Sequence, residues 1–260
     1  MGRLTKMENT NQSSSVRAEE PEFFALKIMR ESMVASDRLA RMIDQTNLRP
    51  EATEDQIVRL CREAREFDFA AVVVNAAYVE LASTQVAGSQ VNVAAVVGFP
   101  LGATLASVKR FETSEVLKRG AREVDMVLNL GALKSGKREF VQAEIQSLAE
   151  LTHEQDGLLK VILETCLLTE DEKKLACELS VKAGADFVKT STGFLGGGAT
   201  VDDVRLMRRI VGPNIGVKAS GGIRTASDAK AMIEAGANRI GTSSGVKIIE
   251  ELREPLPTTR

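Results

Sequence analysis

The chain alternates between short apolar runs and longer segments in which apolar residues recur at helical spacing. The eight apolar runs are LARMID (39–44), FAAVVVN (69–75), VNVAAVV (91–97), EVDMVLN (123–129), LKVILE (159–164), ADFVKT (185–190), NIGVKAS (214–220) and NRIGTS (238–243). The helical segments are at about 53–66, 77–86, 104–119, 138–154, 170–183, 201–211 and 226–235, and a last one follows Ser243. The pattern predicts a strand followed by a helix, eight times.

Two of these runs, AAVVV and VNVAAVV, are apolar at consecutive positions rather than at every second one. Continuous apolar runs are typical of parallel strands that are buried on both faces. Eight strand–helix units favour an α/β fold of the (β/α)8 TIM barrel type. A doubly wound open sheet is the alternative, but its GxGxxG turn is absent after the first strand, where the chain reads QTNLRPEAT.

The N-terminal part of the chain differs from the barrel pattern. Residues 1–20 are polar, and we expect them to be a disordered leader. The segment FFALKIMRESMV (23–34) has apolar residues at helical spacing and predicts an extra N-terminal helix over one end of the barrel. The predicted organisation is a leader over 1–20 and a single barrel domain over 21–260 that includes this helix.

Charge and cysteine content narrow the classes of partner. The chain has 260 residues, with 34 Lys and Arg against 36 Asp and Glu, so it lacks the basic excess that binds nucleic acid or a membrane surface. No run of 18 apolar residues occurs that could span a membrane. The three cysteines, Cys61, Cys166 and Cys177, are odd in number and lack CxxC spacing. We therefore expect neither disulfides nor a zinc cluster, and a cytoplasmic location.

Four ionisable residues interrupt or end the apolar runs. Asp125 lies inside EVDMV, and Glu164 ends KVILE. Lys189 closes ADFVK, and Lys218 closes IGVK, whereas Lys109 lies in a helical segment where lysine is ordinary. The C-terminal ends of the strands form the active site in such a barrel. Any one of these charges could belong to a structural ion pair, but two lysines and an aspartate that converge on one mouth favour a catalytic group.

A group of two lysines and an aspartate is suited to Schiff-base catalysis. The attacking lysine must lose its proton, and both burial and a second ammonium group nearby lower its pKa. A carboxylate beside them can relay protons or orient a partner. The residues alone leave open which of Lys189 and Lys218 attacks.

Histidine and cysteine contribute little to the predicted chemistry. The single histidine, His153, lies near the end of a polar helical segment and is expected at the surface. A histidine-based triad and a histidine-rich metal site are thereby excluded. Cys166 follows the fifth strand and is expected to be a small packing residue, while Cys61 and Cys177 are expected in the core.

Three glycine-rich turns follow the last three predicted strands. They are STGFLGGGAT, SGGIRT and GTSSGV. In barrels of this type the loops after strands seven and eight commonly form a phosphate site. Gly221 and Gly222 would let backbone N–H groups approach an anion, and Ser243 and Ser244 would open the final helix, whose N-terminus favours an anion. Arg224 adds positive charge, or it is a solvated loop residue.

Six blocks of the sequence together resemble the deoxyribose-phosphate aldolase family. They are VVGFPLG, EVDMVLNLGALKSG, LKVILETCLLTEDEK, AGADFVKTSTGF, GVKASGGIRT and RIGTSSGV, and they occur in the family's order from about residue 40 to 250. The resemblance implies a class I aldolase of (β/α)8 fold that needs no metal or other cofactor. It implies reversible cleavage of 2-deoxy-D-ribose 5-phosphate to D-glyceraldehyde 3-phosphate and acetaldehyde.

The resemblance also assigns roles to individual residues. It makes Lys189 the Schiff-base lysine, and it makes Lys218 and Asp125 the partners in proton transfer. Thr192 is similar to the family residue that contacts a sugar hydroxyl. The residues implied in phosphate binding are Gly193, Gly221, Gly222, Arg224, Ser243 and Ser244. A homodimer or homotetramer is also implied.

The sequence departs from the family pattern near the first two strands. Gln45 and Arg49, which are expected to follow the first strand and to lie at the edge of the substrate site, stand where many relatives have His and Lys. Val74 stands where many relatives have Cys. Two alternatives differ in class: another barrel lyase or isomerase that acts on a sugar phosphate, and a sugar-phosphate sensor without turnover. Retention of both lysines and Asp125 argues against the sensor.

Overall fold

The computed structural model of this chain describes residues 35–253. The expected leader (1–20) and the expected helix FFALKIMRESMV (23–34) lie outside the described residues. Residues 35–40 are helical and form the described part of helix α1. Leu39 and Ala40 of this segment are buried, so α1 packs against the rest of the molecule.

Eight parallel strands close into one barrel, in which each strand pairs with the next one in sequence and the eighth pairs with the first. The strands are β1 (Ile43–Asn47), β2 (Ala71–Val74), β3 (Asn92–Val97), β4 (Glu123–Val127), β5 (Leu158–Ile162), β6 (Phe187–Lys189), β7 (Gly216–Ser220) and β8 (Arg239–Thr242). This arrangement confirms the predicted (β/α)8 TIM barrel.

The helices that follow the strands form the outer layer. They are α2 (Glu54–Glu66), α3 (Val79–Val86), α4 (Ala106–Lys118), α5 (Leu130–Lys134), α6 (Arg138–His153), α7 (Glu170–Lys182), α8 (Val201–Val211), α9 (Ala226–Glu234) and α10 (Gly245–Arg253). The short α5 is an addition to the predicted pattern. Helix α7 starts at a capping box that the sequence encodes locally: Glu172 N donates to Thr169 Oγ1 at 3.3 Å, and Thr169 N donates to Glu172 Oε2 at 2.8 Å.

The prediction of a first strand over 39–44 is wrong at its start. Leu39 and Ala40 end helix α1, and Met42 N donates to Leu39 O at 2.8 Å where the chain turns into β1. A short apolar run has no periodicity that separates the end of a buried helix from the start of a buried strand. As a result Gln45 lies within β1, not after it.

The barrel interior is only partly apolar. A small apolar cluster fills the side of β2 and β3, and its buried members are Leu48, Ala71, Val73, Ala94 and Val96. The intervening residues of these strands pack in a larger cluster that includes the helices. On β4, Met126 belongs to this larger cluster. Since side chains alternate along a strand, Asp125 then points into the barrel.

The expectation that Lys109 is an ordinary helical lysine is wrong, because the residue is fully buried. Its Nζ donates to Glu144 Oε2 of α6 at 2.9 Å and to Val127 O of β4 at 2.8 Å. Burial lowers the pKa of Lys109 and raises the pKa of Glu144, and their attraction opposes both shifts. Lys109 thus links α4 to α6 and to β4. Its burial depends on how α4 packs against the barrel, which the sequence pattern of the helix does not show.

Cysteine and histidine positions follow the expectations with one exception. Cys61 and Cys177 are buried, and His153 is at the surface with Nε2 at 2.9 Å from Asp186 Oδ2. Cys166 is exposed, so its interpretation as a packing residue is wrong. It lies in the 3-10 turn Thr165–Leu167, at the C-terminal end of the barrel. Within residues 35–253, no helix is long and apolar enough to cross a membrane.

Candidate active site

Seven charged side chains occupy the barrel interior, contributed by six strands. They are Asp44, Glu123, Asp125, Lys160, Lys189, Lys218 and Arg239. The most exposed side chain among them is that of Arg239, at 12%. Interiors of such barrels are usually filled by branched apolar residues, and buried charges are rare unless they are paired. The charged interior therefore marks this part of the barrel as the candidate site.

Two lysines each bridge two carboxylates. Lys160 Nζ lies 2.7 Å from Asp125 Oδ1 and also pairs with Glu123 Oε2. Lys218 Nζ lies 2.8 Å from Asp125 Oδ2 and also pairs with Asp44 Oδ2. Asp125 is therefore held from both sides, through a different oxygen by each lysine.

Arg239 completes this arrangement at the opposite end of β8 from the mouth. Its Nη1 lies 2.7 Å from Asp44 Oδ1 and 3.2 Å from Glu123 Oε2. The result is a closed ring of alternating charge, which we call the charge ring; its members are Asp125, Lys160, Glu123, Arg239, Asp44 and Lys218. Every member of the charge ring contacts two members of opposite charge.

The charge ring stabilises its ionised members. Burial alone would raise the pKa of Asp44 and of Asp125, but the surrounding cations more than offset it and hold both pKa values below the usual 3.8. Burial alone would lower the pKa of Lys160, but Asp125 and Glu123 more than offset it and raise that pKa. The carboxylates of Asp44 and Asp125 and the ammonium of Lys160 are thus held in their charged forms.

Lys189 lies outside the charge ring and contacts only one of its members. Its Nζ donates to Asp125 Oδ2 at 2.8 Å, the same oxygen that Lys218 uses. Burial lowers the pKa of Lys189 to about 8, and the charges of Lys218 and Lys160 act in the same direction while Asp125 opposes them. A sizeable fraction of this amine is therefore neutral near physiological pH.

Charge counting gives the same result for Lys189. In their ordinary charge states the interior groups comprise three carboxylates and four cations, an excess of one positive charge. Loss of one proton makes the interior neutral, and Lys189 is the cation with a single carboxylate partner. The arrangement can therefore supply a neutral amine next to groups that donate and accept protons.

A cavity of about 630 Å³ opens above Lys189 at the C-terminal ends of the strands. Its lining includes the following residues that the sequence placed in the site: Lys189, Thr192, Gly193, Gly221, Gly222, Arg224 and Ser243. Asp125 and Lys218 are buried below the cavity and reach it through Lys189. The structure thus brings together the predicted catalytic group and most of the predicted phosphate site.

Ser244 is the exception among the predicted phosphate residues. It is outside the lining of the cavity, and its N–H donates to Thr242 Oγ1 at 2.9 Å. Its carbonyl accepts from Ile248 N at 3.0 Å, so Ser244 starts α10 as predicted. The next N–H of the helix, that of Gly245, donates to Gln45 Oε1 at 3.0 Å.

Close approach of two loops explains one of the glycines. Gly221 has a φ of +88°, and a Cβ there would lie 2.9 Å from the Cα of Gly198 in the loop before α8. Ala199 N also donates to Gly221 O at 3.0 Å. Any larger residue at position 221 would push apart the loops after β6 and β7, which form one side of the cavity.

The three departures from the family pattern have different surroundings. Gln45 is buried in β1, and its Nε2 donates to Glu63 Oε2 at 2.9 Å, so it ties α2 to the start of α10. Arg49 is exposed at the cavity rim beside Glu51. Val74 is fully buried in the large apolar cluster. Of the three, Gln45 and Arg49 line the cavity.

Four residues of the site were absent from the sequence-based prediction. They are Asp44, Glu123, Lys160 and Arg239. The sequence does contain a signal for them, because each is a charged residue next to an apolar residue that points out of the barrel. Leu159 and Val161, for example, flank Lys160 and pack in the large apolar cluster, so Lys160 must point inward. The carboxylates among them are already bound by lysine and arginine. Within residues 35–253, no cluster of His, Cys, Asp or Glu has the arrangement of a metal site.

Comparison with known proteins gives a consistent family. The model of the DeoC/LacD family aldolases matches residues 38–251. The chain is 60% identical over 215 residues to a deoxyribose-phosphate aldolase of Halalkalibacterium halodurans, covering 82% of this chain and 96% of the relative. It is 57% identical over 223 residues to one from Thermococcus gammatolerans, covering 85% and 99%.

The chain belongs to the DeoC/LacD aldolase family. It is therefore an aldolase, an enzyme of the lyase class. Solved structures agree: a putative deoxyribose-phosphate aldolase from Coccidioides immitis superposes with a TM-score of 0.81 at 40% identity, covering 90% of this chain and 98% of that one. A tetrameric deoxyribose phosphate aldolase from Aeropyrum pernix has a TM-score of 0.79 at 37% identity, covering 88% and 98%.

Proposed function

We propose that this aldolase reversibly cleaves 2-deoxy-D-ribose 5-phosphate to acetaldehyde and D-glyceraldehyde 3-phosphate through a Schiff base on Lys189. One observation supports this most directly: the Lys189 amine, with a pKa of about 8, lies at the base of a cavity and contacts a buried carboxylate. Relatives at 57–60% identity bear the name of this activity. The reaction breaks down a deoxyribose phosphate.

The bond changes of this reaction need an amine and a means of moving protons. Neutral Lys189 Nζ adds to the C1 carbonyl, and loss of water gives an iminium ion. The electrons of the C2–C3 bond move into the iminium as the 3-hydroxyl loses its proton, which releases D-glyceraldehyde 3-phosphate and leaves a two-carbon enamine. Protonation at C2 and addition of water then return acetaldehyde and the free amine.

Asp125 and Lys218 are the proton-transfer groups in this proposal. Both lysines share Asp125 Oδ2, so a proton on Lys189 or Lys218 has a hydrogen-bonded route to the other through one oxygen. Lys218 also keeps positive charge close to Lys189, which favours the neutral amine. Removing and returning protons at this position serves the carbinolamine and enamine steps.

The phosphate is proposed to bind at the glycine-rich side of the cavity. The contributing residues are Gly193, Gly221, Gly222, Arg224 and Ser243, with Ser244 starting the adjacent helix α10. Arg224 is exposed at the rim and can reach an anion. Thr192 lines the same cavity as Lys189 and Gly193, and it is proposed to contact a sugar hydroxyl. Binding at this end holds C1 against the amine.

Covalent trapping tests the proposal. Borohydride reduction in the presence of 2-deoxy-D-ribose 5-phosphate should add mass to the peptide that contains Lys189, and Lys189→Ala should abolish the adduct. Lys182→Ala is a matched control, because Lys182 is an exposed lysine in the last turn of α7. An adduct on another lysine, or none at all with active enzyme, refutes the proposed mechanism.

Product analysis separates the two alternative functions. Release of acetaldehyde from 2-deoxy-D-ribose 5-phosphate distinguishes this reaction from that of another lyase or isomerase that acts on a sugar phosphate. Steady turnover distinguishes an enzyme from a sensor that only binds. The three free cysteines fit a reducing compartment, and we place the enzyme in the cytoplasm without a nucleic-acid or membrane partner.

A second copy of the chain is the proposed partner, docked on helix α4. The first half of this helix exposes large apolar side chains: Leu105 at its start is 70% exposed and Phe111 is 68% exposed, and Val108 is exposed as well. The polar residues Lys109 and Thr113 are buried instead. A group of large exposed apolar side chains marks an interaction surface. Charges of both signs beside it, Glu115 and Arg119, allow self-complementary pairing about a two-fold axis.

Oligomeric state tests this surface. The relative from Aeropyrum pernix is described as tetrameric, so we expect a dimer or tetramer by light scattering. Leu105→Ser with Phe111→Ser should shift the mass toward the monomer. Leu167→Ser is the control, because Leu167 is also an exposed leucine but lies in the loop after β5. An unchanged mass in the double variant excludes α4 as the interface.

A further inference from the structure

Glu164 is a buried carboxylate that the proposed reaction leaves without a role. It is the second residue after the end of β5 and is 0% exposed. No lysine or arginine among residues 35–253 lies within salt-bridge distance of it. Burying a carboxylate away from any cation is costly unless hydrogen bonds satisfy it. The contacts of Glu164 therefore need an explanation.

The backbone of Glu164 gives a second, independent sign of constraint. Its φ is +53°, in the left-handed region, and it precedes the 3-10 turn Thr165–Leu167. Glycine adopts this conformation without strain, whereas other residues pay roughly 1–3 kcal/mol for such backbone strain when the surroundings enforce it. Thr165 N donates to Thr190 O at 3.0 Å, which fixes the turn against the end of β6.

The carboxylate is directed at one residue of the cavity wall. Glu164 Oε2 accepts both the N–H of Thr192, at 3.2 Å, and the hydroxyl of Thr192. The other oxygen, Oε1, lies 3.7 Å from the thiol of Cys166. Two donors of Thr192, its backbone N–H and its side-chain hydroxyl, therefore converge on the same carboxylate oxygen.

These contacts leave Thr192 with a defined hydrogen-bonding capacity. A hydroxyl group has one donor and two acceptor positions. The donor is used by Glu164, and one acceptor position is used by Phe194 N at 3.1 Å. The remaining acceptor position has no partner among the described residues, and Thr192 lines the cavity. The Thr192 oxygen can therefore accept a hydrogen bond from a ligand but cannot donate one.

We propose that Glu164 is a positioning residue that fixes Thr192 as a hydrogen-bond acceptor and so selects substrates with a hydroxyl group at this position. The inference rests on the proposed function, because it assigns the ligand of Thr192 as a substrate hydroxyl. An aldehyde without that hydroxyl gains nothing from the arrangement. Acetaldehyde, the two-carbon product, has no hydroxyl and is the natural reference ligand.

Variants at position 164 separate acceptor chemistry from simple packing. Glu164→Gln keeps an acceptor oxygen, since the Thr192 N–H favours the amide oxygen over its NH₂ group. Glu164→Met has similar length and no comparable acceptor. All three residues share the same backbone strain, which therefore cancels. We expect kcat/KM for 2-deoxy-D-ribose 5-phosphate to stay within a few fold in Glu164→Gln and to fall on the order of tenfold in Glu164→Met.

Two readouts distinguish this role from a structural one. Borohydride trapping of acetaldehyde on Lys189 should proceed at the wild-type rate in Glu164→Met, because this ligand does not use Thr192. In a Thr192→Val background, the difference in kcat/KM between Glu164→Gln and Glu164→Met should become much smaller, because the hydroxyl that Glu164 orients is gone and only the backbone N–H contact remains. If Glu164→Met fails to fold, Glu164→Leu takes its place, because leucine also lacks an acceptor at this position.

Contrary results are equally specific. An equal loss of cleavage and of acetaldehyde trapping in Glu164→Met means that Glu164 holds the barrel in shape and does not act through Thr192. The proposal is also overturned if Glu164→Met lowers kcat/KM as much in the Thr192→Val background as in the wild-type background, because Glu164 then acts independently of the Thr192 hydroxyl. Failure of acetaldehyde to be trapped by the wild-type enzyme refutes the Schiff-base function instead, so the two proposals fail separately.

Discussion

Lys189 and Lys218 lie directly opposite each other on the neighbouring strands β6 and β7, and their Nζ atoms donate to the same oxygen, Asp125 Oδ2, each at 2.8 Å. Two ammonium groups that share one carboxylate oxygen repel each other. Lys218 also pairs with Asp44, whereas Lys189 has only this one partner. The proton is therefore lost more easily from Lys189.

Removal of Lys218 should make Lys189 more basic. In Lys218→Met the repulsion is gone and Asp125 is freer to stabilise the Lys189 ammonium, so the pKa of Lys189 rises from about 8. Each unit of that rise lowers the neutral fraction at pH 7 about tenfold. The pH dependence of acetaldehyde trapping by borohydride measures this, and its midpoint should move to higher pH.

High pH provides an internal check of that experiment. Trapping by Lys218→Met should recover there, because Lys189 becomes neutral again, while cleavage turnover should stay low since the proton-transfer group is still missing. A midpoint that stays in place or moves to lower pH would show that Lys218 does not tune Lys189. Lys182→Met is the reference for loss of an exposed lysine.

The charge ring predicts shifts of opposite sign for two distant substitutions. Neither Glu123 nor Arg239 contacts Lys189, but they pair with each other at 3.2 Å. Glu123→Gln removes a negative charge from the interior and should lower the pKa of Lys189 below about 8. Arg239→Met removes a positive charge and should raise it. The pH midpoint of acetaldehyde trapping reports both shifts.

The double variant is the control for these two substitutions. Glu123→Gln with Arg239→Met restores the charge balance of the interior, so its midpoint should return toward the wild-type value. Shifts of the same sign in both single variants would show that changes in packing, such as loss of the Arg239 contact with the Phe187 ring at 5.5 Å, outweigh the electrostatics.

Lys189 should reduce the stability of the enzyme at neutral pH. Its pKa in the folded state is about 8, below the ordinary 10.5, so folding disfavours the protonated form. The penalty is complete below pH 8 and disappears as the pH rises past 10.5. Lys189→Met should therefore raise the free energy of unfolding by about 3 kcal/mol at pH 7.

Urea unfolding at two pH values measures this difference. The gain of Lys189→Met over the wild type should be large at pH 7 and should shrink toward pH 10.5, where the amine is neutral in both the folded and the unfolded chain. A gain that is independent of pH would reflect better packing of methionine. A loss of stability would mean that the contact with Asp125 outweighs the burial of the amine.

Arg224 should act on the phosphate and not on the bond that breaks. We expect Arg224→Gln to raise KM for 2-deoxy-D-ribose 5-phosphate about tenfold, because a charge-assisted hydrogen bond to a partly solvated anion is worth on the order of 1.5 kcal/mol. Steady-state kinetics with 2-deoxy-D-ribose, which lacks the phosphate, should show almost no change. A similar loss with both substrates would place Arg224 outside the phosphate site.

The sequence determined the barrel and the three central residues of the site. Eight apolar runs with helical segments between them are a local pattern, and the strands they predict close in sequence order. Lys189, Lys218 and Asp125 were recognisable because each is a charge within or at the end of an apolar run. Any one such charge could belong to a structural ion pair, but these three converge on one place, as expected.

Only the tertiary structure decided which other charges join them. Asp44, Glu123, Lys160 and Arg239 enter the charge ring through partners between 35 and 195 residues away in the chain. The hydroxyl of Thr192 obtains its orientation from Glu164, 28 residues earlier. Lys109 turns inward on α4 while Phe111 faces outward. The periodicity of the sequence shows which face of a strand or helix is apolar. Whether a charged side chain is stable in the interior depends on a partner of opposite charge from a distant part of the chain, and only the tertiary structure supplies that partner.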